Sequence, residues 1–320
     1  MDDYMRDYLR AARFERPDRI PIGAGVLPAT KKRHGQALYD LMDRYPRVFG
    51  TERHDSPENI QYPTTYRAGK HVDAWGCVWE NISDGYESIV TGHPVPTRED
   101  IHALKAPEAD AGLPHGFMFL RLTDLRGFEE AMIDFAEEPP ELQMLIDIVL
   151  AYNMRQLELR LANHDGPIMY FGDDLGTQKA LPISPAQWRK YLKPCYMRLY
   201  KRCKEAGKLV YMHTDGCIHE IIPDLIECGV DILNPQIRAN GLDNLVRTCR
   251  GKVCVDLDLD RQLFPFAAPE EIMTHVMDCT KALYTPEGGL MLKGECGGEL
   301  TLETIEAICE AMMAASEYHG

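Results

Sequence analysis

A histidine, a carboxylate and a thiol follow one apolar run of this sequence within five residues. The run, residues 209–212, ends at His213, and Asp215 and Cys217 come directly after it. Imidazole nitrogens, carboxylate oxygens and thiolates are the ligands that zinc takes in proteins. Because residues 213 and 215 are two apart, both side chains can reach one ion from an extended strand end. The spacing is typical of a polar site at the end of a buried strand.

Polar residues also follow four other apolar runs in the second half of the chain. They are Asp173 and Asp174, Asn234 and Gln236, Asp256, Asp258 and Asp260, and Glu295 and Cys296. A catalytic zinc takes three protein ligands and keeps a fourth position open. We therefore expect Cys296 as the third ligand beside His213 and Asp215, with Cys217 and Glu295 as the alternatives.

Two other interpretations of these positions stay open. Without a metal, His213 is an acid, a base or a hydrogen-bonding group for the substrate, oriented by Asp173 or Asp174. Alternatively, the aspartates only form the turns and helix caps that every α/β protein needs after its strands. The candidate catalytic residues are Asp173, Asp174 and His213.

The candidate substrate-binding residues are aromatic or carry an amide. Trp75, Trp79 and Tyr170 are candidates for the wall of an apolar pocket, and Gln178 and Asn234 for polar contacts. The alternative for the three aromatic residues is a place in the ordinary core.

A regular alternation of strands and helices explains why distant residues converge. Five strand–helix units begin at residues 167–171, 208–213, 230–235, 252–256 and 289–293. Their strands are short apolar runs, which is typical of a parallel sheet buried on both faces. With candidate strands in the first half, including "GFMFLRL" at 116–122, the pattern predicts a (β/α)₈ barrel, whose active site lies at the carboxyl ends of the strands. A doubly wound sheet is the competing fold, but no glycine-rich nucleotide motif follows any strand.

The domain prediction is one barrel over residues 1–320. Residues 1–110 form an irregular part that begins with an amphipathic helix over 1–13, and residues 111–320 contain the regular units. Ten cysteines without paired spacing and a charged N-terminus favour a reduced, cytoplasmic protein. We expect no membrane span, because no run of 18 apolar residues occurs. The net charge of −15 disfavours nucleic acid as a partner.

Several stretches resemble the uroporphyrinogen decarboxylase superfamily over essentially the whole chain. The most specific are "GDDLGTQ" with "ISPAQW", and "HTDG" with "IIPDLIECGVDILNP". That superfamily has the (β/α)₈ barrel fold. It contains porphyrinogen decarboxylases and methyltransferases that work with corrinoid, that is cobalamin-binding, proteins.

The resemblance is closer to the methyltransferases. Decarboxylases of the superfamily carry "RQAGRY" and "SDIL" segments, whereas this chain reads "RIPIGAGVLPATKKRHG" at 19–35 and has no "SDIL". The zinc methyltransferases carry His-x-Cys and a later cysteine after Gly-Gly. His213 and Cys296 match these positions, and Asp215 stands where the family has cysteine. A carboxylate is a harder ligand, which suits a methyl ether or amine better than a thiolate.

The resemblance implies a cytoplasmic, cobalamin-dependent methyltransferase that moves a methyl group between a small methylated substrate and a corrinoid protein, demethylation of an aryl methyl ether being one candidate reaction. It would need zinc and a corrinoid-binding partner protein that carries the cobalamin. The alternatives are a metal-independent decarboxylase and a non-catalytic barrel subunit. The sequence leaves open the methyl donor and acceptor, the direction of transfer and the formation of a homodimer.

Overall fold

The computed structural model describes residues 3–320, which divide into two compact units. The first unit comprises residues 3–69, 81–88 and 234–320, and the second comprises residues 70–80 and 89–233. The single domain expected over residues 1–320 stays a prediction. The expected N-terminal helix is present over Asp3–Ala12, and residues 1 and 2 lie outside the described residues.

Two sheets occur within residues 3–320. The strands are β1 Ile22–Val26, β2 Gly69–Val72, β3 Val78–Asn81, β4 Ile89–Gly92, β5 Ile168–Gly172, β6 Leu209–Thr214, β7 Ile232–Pro235, β8 Cys254–Asp258 and β9 Leu290–Cys296. The larger sheet has six strands in the order β1-β9-β8-β7-β6-β5, and the smaller has the order β2-β3-β4. The pairs β1–β9, β8–β9 and β5–β6 are parallel. An α/β fold with a parallel sheet is thus confirmed, and the complete eight-stranded barrel stays a prediction.

Helices follow the parallel strands as the sequence predicts. They are α1 Asp3–Ala12, α2 Pro28–His34, α3 Gln36–Arg44, α4 Pro46–Phe49, α5 Arg98–Ile101, α6 Phe119–Arg126, α7 Phe128–Glu137, α8 Pro140–Asn163, α9 Pro185–Gln187, α10 Lys193–Glu205, α11 Ile222–Cys228, α12 Ile237–Asn240, α13 Leu242–Cys249, α14 Pro269–Leu283 and α15 Leu302–Ser316. Across residues 3–320, no helix combines the length and the apolar character needed to cross a membrane.

In the second unit, β5 and β6 lie side by side with Ile168 opposite Leu209 and Gly172 opposite His213. Apart from Thr214, the buried side chains of both strands are apolar, which is typical of a parallel sheet covered on both faces. The pairing continues past the strand ends, because the Asp173 N–H donates to the His213 carbonyl oxygen at 3.1 Å. The polar residues after the two strands are therefore neighbours.

In the first unit, β9 lies between β1 and β8. Ile22 pairs with Leu292 and Val26 with Cys296, while Val255 pairs with Leu290 on the other side. Cys296 thus ends the strand β9 inside the core of this unit, where its side chain is fully buried.

The strand predicted at 116–122 is wrong. Gly116 has a φ of +78°, and the helix α6 begins at Phe119. A continuous apolar run of this length fits a buried strand and a buried helix equally well. The start of the helix is fixed by the Asp173 carboxylate, which accepts the first backbone N–H groups of this turn.

Candidate functional site

Three side chains that can ligate a metal meet in the second unit, at the carboxyl ends of β5 and β6. Ligand atoms of His115, Asp174 and His213 all lie within 4.8 Å of one another. Nε2 of His115 is 3.1 Å from Oδ2 of Asp174, and the two imidazole rings are 5.5 Å apart between centroids. We call these three residues the strand-end cluster. Asp174 and His213 are candidates from the sequence, whereas His115 is a residue that the sequence analysis missed.

Backbone contacts between the two strand ends hold Asp174 and His213 in place. His213 lies opposite Gly172, two residues before Asp174. The Asp215 N–H donates to Oδ1 of Asp174 at 3.0 Å, and the Gly176 N–H donates to the Asp215 carbonyl oxygen at 3.2 Å. One carboxylate oxygen of Asp174 is therefore fixed by the backbone of Asp215, and the other faces His115.

The turn before α6 brings His115 to the cluster. The Gly116 N–H donates to the Gly172 carbonyl oxygen at 2.7 Å, which ties this turn to the end of β5. A Cβ atom added to Gly172 would lie 2.5 Å from Nδ1 of His115. Only glycine at position 172 leaves room for the imidazole ring where it lies.

Asp173 is fully buried and points away from its neighbour Asp174. Its carboxylate accepts four hydrogen bonds, from the backbone N–H groups of Met118, Phe119 and Leu120 at 3.2, 2.5 and 2.9 Å and from the Tyr196 hydroxyl at 2.5 Å. Burial raises the pKa of Asp173, against the Tyr196 and backbone hydrogen bonds, which lower it. These contacts make Asp173 a positioning residue for the segment that carries His115.

His213 lies among charged groups that favour its protonated form. Burial lowers the pKa of His213, but the hydrogen bond and charge of Asp215 together with the charge of Asp174 outweigh burial and leave that pKa raised. Nε2 of His213 is 3.4 Å from Oδ1 of Asp215. An imidazole between two carboxylates is a place where a positive charge is stabilised.

The cysteines proposed as ligands are buried thiols. Burial, with help from the charges of Glu295 and Glu299, raises the pKa of Cys296 to about 12. Burial also raises the pKa of Cys217, whose sulfur is 3.3 Å from Nδ1 of His219. Within residues 3–320, His213 belongs to the strand-end cluster, whereas the other expected ligands, Asp215, Cys217 and Cys296, do not.

Glu295, the other alternative ligand, is engaged by an arginine. Its Oε1 accepts a hydrogen bond from Nη1 of Arg261 at 2.5 Å. All ten cysteines of the chain are buried and unpaired with one another.

The aromatic candidates have different surroundings. The Tyr170 side chain is 45% exposed although it lies in the middle of β5. Trp75 is buried and packs edge-on against Tyr152 at 4.9 Å. Trp79 donates its indole N–H to Asp73 at 3.1 Å. Tyr170 is therefore the most exposed of the three aromatic candidates.

The amide candidates and the later aspartates also differ in exposure. Gln178 is exposed, whereas Asn234 is fully buried and donates to the Asp256 carbonyl oxygen at 2.5 Å. Asp260 accepts a hydrogen bond from Nε of Arg238 at 2.8 Å and another from the backbone N–H of Gln262 at 3.1 Å. The contacts of Asp260 are those of a turn-forming residue.

Comparisons with known proteins identify the family of this chain and proteins with a similar fold. The uroporphyrinogen decarboxylase (URO-D) family matches residues 118–317, which is more than half of the chain. A methyltransferase from Methanosarcina mazei has the same fold, with a TM-score of 0.67 and 15% sequence identity over 97% of this chain and 98% of that one. A dihydropteroate synthase from Xanthomonas albilineans gives a TM-score of 0.33 at 15% identity, over 50% of this chain and 57% of that one.

No curated protein sequence matches the chain. The family match includes Asp173, Asp174 and His213, together with the strands β5 to β9 that follow α6 and carry the polar strand ends. The chain therefore belongs to the uroporphyrinogen decarboxylase family.

Proposed function

We propose that this chain is a cytoplasmic methyltransferase with a (β/α)₈ barrel. It moves a methyl group between a small methylated substrate and the cobalt of a corrinoid protein, with the help of zinc. The observation that carries the proposal is the partly exposed imidazole of His213, held next to Asp215 and Asp174 at two parallel strand ends. Strand ends of this kind form the active sites of parallel α/β folds.

The donor atoms around His213 suit zinc, because imidazole nitrogen and carboxylate oxygen are both zinc ligands. Asp215 and Cys296 complete the ligand set that the sequence predicts. When bound, zinc supplies a Lewis acid for the oxygen or nitrogen atom that carries the methyl group.

The residues of the chain orient and select the substrate. The half-exposed ring of Tyr170 offers an apolar surface to an aryl group, and the exposed amide of Gln178 offers hydrogen bonds. Asp174 accepts the Asp215 N–H and so keeps the two strand ends in register. The corrinoid protein carries the cobalamin, and its cobalt has to approach the methyl group to bonding distance.

Two further facts favour methyl transfer over decarboxylation of a porphyrinogen. The similar structure from Methanosarcina mazei is itself a methyltransferase. The net charge of −15, without the paired arginines of "RQAGRY", is unfavourable for a substrate with many carboxylates.

The decisive experiment supplies the purified chain with a reduced corrinoid protein and a panel of aryl methyl ethers and methylamines. We expect one substrate class to give methylated cobalt, seen as a change in the absorption spectrum of the corrinoid. His213→Ala should abolish this change while its circular dichroism stays native, and His102→Ala, at an exposed position, should keep it. Release of carbon dioxide from a porphyrinogen without any methylation would favour the decarboxylase, and inactivity in both assays the non-catalytic subunit.

A further inference from the structure

We infer that His115, Asp174 and His213 hold the metal ion of this chain, in place of the set His213, Asp215 and Cys296 expected from the sequence. The ion is a divalent transition metal. Its identification as zinc rests on the proposed function, whereas the three ligands are argued from their positions alone. Two histidines and one carboxylate form a known ligand set of catalytic zinc and also of non-haem iron.

The distances within the strand-end cluster are close to those around one metal ion. Zinc binds nitrogen and carboxylate oxygen at about 2.0–2.2 Å in a tetrahedral arrangement, so two of its ligand atoms are about 3.3–3.6 Å apart. The ligand atoms of His115, Asp174 and His213 lie within 4.8 Å of one another. Binding of one ion therefore requires the three ligand atoms to draw together by about 1 Å.

Neighbouring groups hold each ligand of the cluster in position. The Asp215 N–H occupies Oδ1 of Asp174, which leaves Oδ2 for an ion. His213 is fixed by its place in β6 opposite Gly172. The missing side chain of Gly172 makes room for the ring of His115. Ligands oriented by their surroundings in this way are typical of metal sites.

The cluster is open to solvent, as a catalytic metal requires. The side chains of His115, Asp174 and His213 are 40%, 30% and 28% exposed. Three protein ligands leave a position for the substrate. Cys296, in contrast, is fully buried. Nitrogen and oxygen ligands make the ion a harder Lewis acid, which favours substrates whose methyl group is on oxygen or nitrogen.

Metal analysis of the purified full-length chain separates the two ligand sets. The variants are His115→Ala, Asp174→Asn, Asp215→Asn and Cys296→Ser, with His102→Ala as the histidine control. Zinc and iron per chain are measured by mass spectrometry, and zinc affinity by competition with a chelator. We expect about one metal ion per wild-type chain, and His115→Ala and Asp174→Asn should weaken binding about tenfold or more. Asp215→Asn should have a smaller effect, and Cys296→Ser and His102→Ala none.

Loss of metal in Cys296→Ser with full binding in His115→Ala would overturn this ligand set, and so would a wild-type chain that binds no metal even after reconstitution. Circular dichroism of each metal-free variant identifies any that fails to fold. Cobalt(II) substitution gives a second measurement, since a cysteine ligand adds a sulfur-to-cobalt charge-transfer band that the cluster cannot produce. If the cluster binds zinc but no methyl transfer occurs, the proposed function fails and the metal site stands.

Discussion

Gly172 lies against the imidazole of His115, so closely that a Cβ at this position would be 2.5 Å from Nδ1 of the ring. Gly172→Ala should therefore displace His115 from Asp174 while leaving both of these residues chemically intact. We expect weaker zinc binding with little loss of global stability. The control is Gly25→Ala, at a strand glycine where an added Cβ meets nothing within 4 Å. Equal zinc affinity in the two variants would contradict the role of Gly172.

Asp173→Asn should destabilise the protein by about 3 kcal/mol, because an amide cannot accept all four hydrogen bonds and places an N–H group against backbone donors. Tyr196→Phe removes one of these donors and should cost only about 1 kcal/mol. Urea unfolding monitored by fluorescence gives both values. If Asp173 only stabilises the fold, the folded variant should bind metal as tightly as the wild type. If Asp173 also positions His115, the metal affinity of the folded variant should be lower. An Asp173→Asn variant as stable as the wild type would show that these hydrogen bonds contribute little.

Gly216→Ala should be among the most damaging glycine substitutions. Gly216 has a φ of +84°, and its added Cβ would lie 2.1 Å from the Gly176 carbonyl oxygen. Gly207→Ala is the matched control, since Gly207 has a φ of +72° but nothing within 4 Å of an added Cβ. We expect about 1 kcal/mol of destabilisation for the control and about 3 kcal/mol or more for Gly216→Ala. Thermal unfolding measures both losses of stability. Equal losses in Gly216→Ala and Gly207→Ala would mean that the backbone segments of Gly176 and Gly216 can move apart at little cost.

Asp124 should make the stability depend on pH. Burial raises the pKa of this carboxyl to about 6, against the charge of Arg121, which lowers it. The folded protein thus binds the proton more tightly than the unfolded chain, so stability falls as the pH rises from about 4 to about 6. The loss amounts to about 3 kcal/mol, at 1.36 kcal/mol for each pH unit.

Asp124→Asn should remove this part of the pH dependence and should raise the free energy of unfolding at pH 8. Urea titrations at several pH values test the prediction, with Asp165→Asn at an exposed loop position as the control. A variant whose profile still falls between pH 4 and 6 like that of the wild type would place the titrating group elsewhere.

The regular second half of the chain could be predicted from the sequence for a clear physical reason. Its strands are short apolar runs separated by helical patterns, and both signals are local. The predicted runs 167–171 and 208–213 correspond to the parallel strands β5 and β6. Local signals therefore place Asp174 and His213 at neighbouring strand ends.

The position of His115 could not be predicted in the same way. The apolar residues after it fit a strand or a helix, and the choice depends on Asp173, more than 50 residues later in the chain. The sequence also cannot tell which of Asp173 and Asp174 is buried. The structure shows that Asp173 is buried and that Asp174 is partly exposed. The only signal for His115 is a histidine directly before Gly116, in a turn that the apolar pattern does not reveal.

The two histidines of the strand-end cluster are 98 residues apart along the chain. Bringing such distant segments together is slow and comes late in folding, because the entropy of closing the intervening loop must first be overcome. An ion bound there would join the turn before α6 to β6 as a cross-link does, and it would bind the native chain in preference to the unfolded one. Release of metal would then be an early sign that this half of the molecule has begun to open.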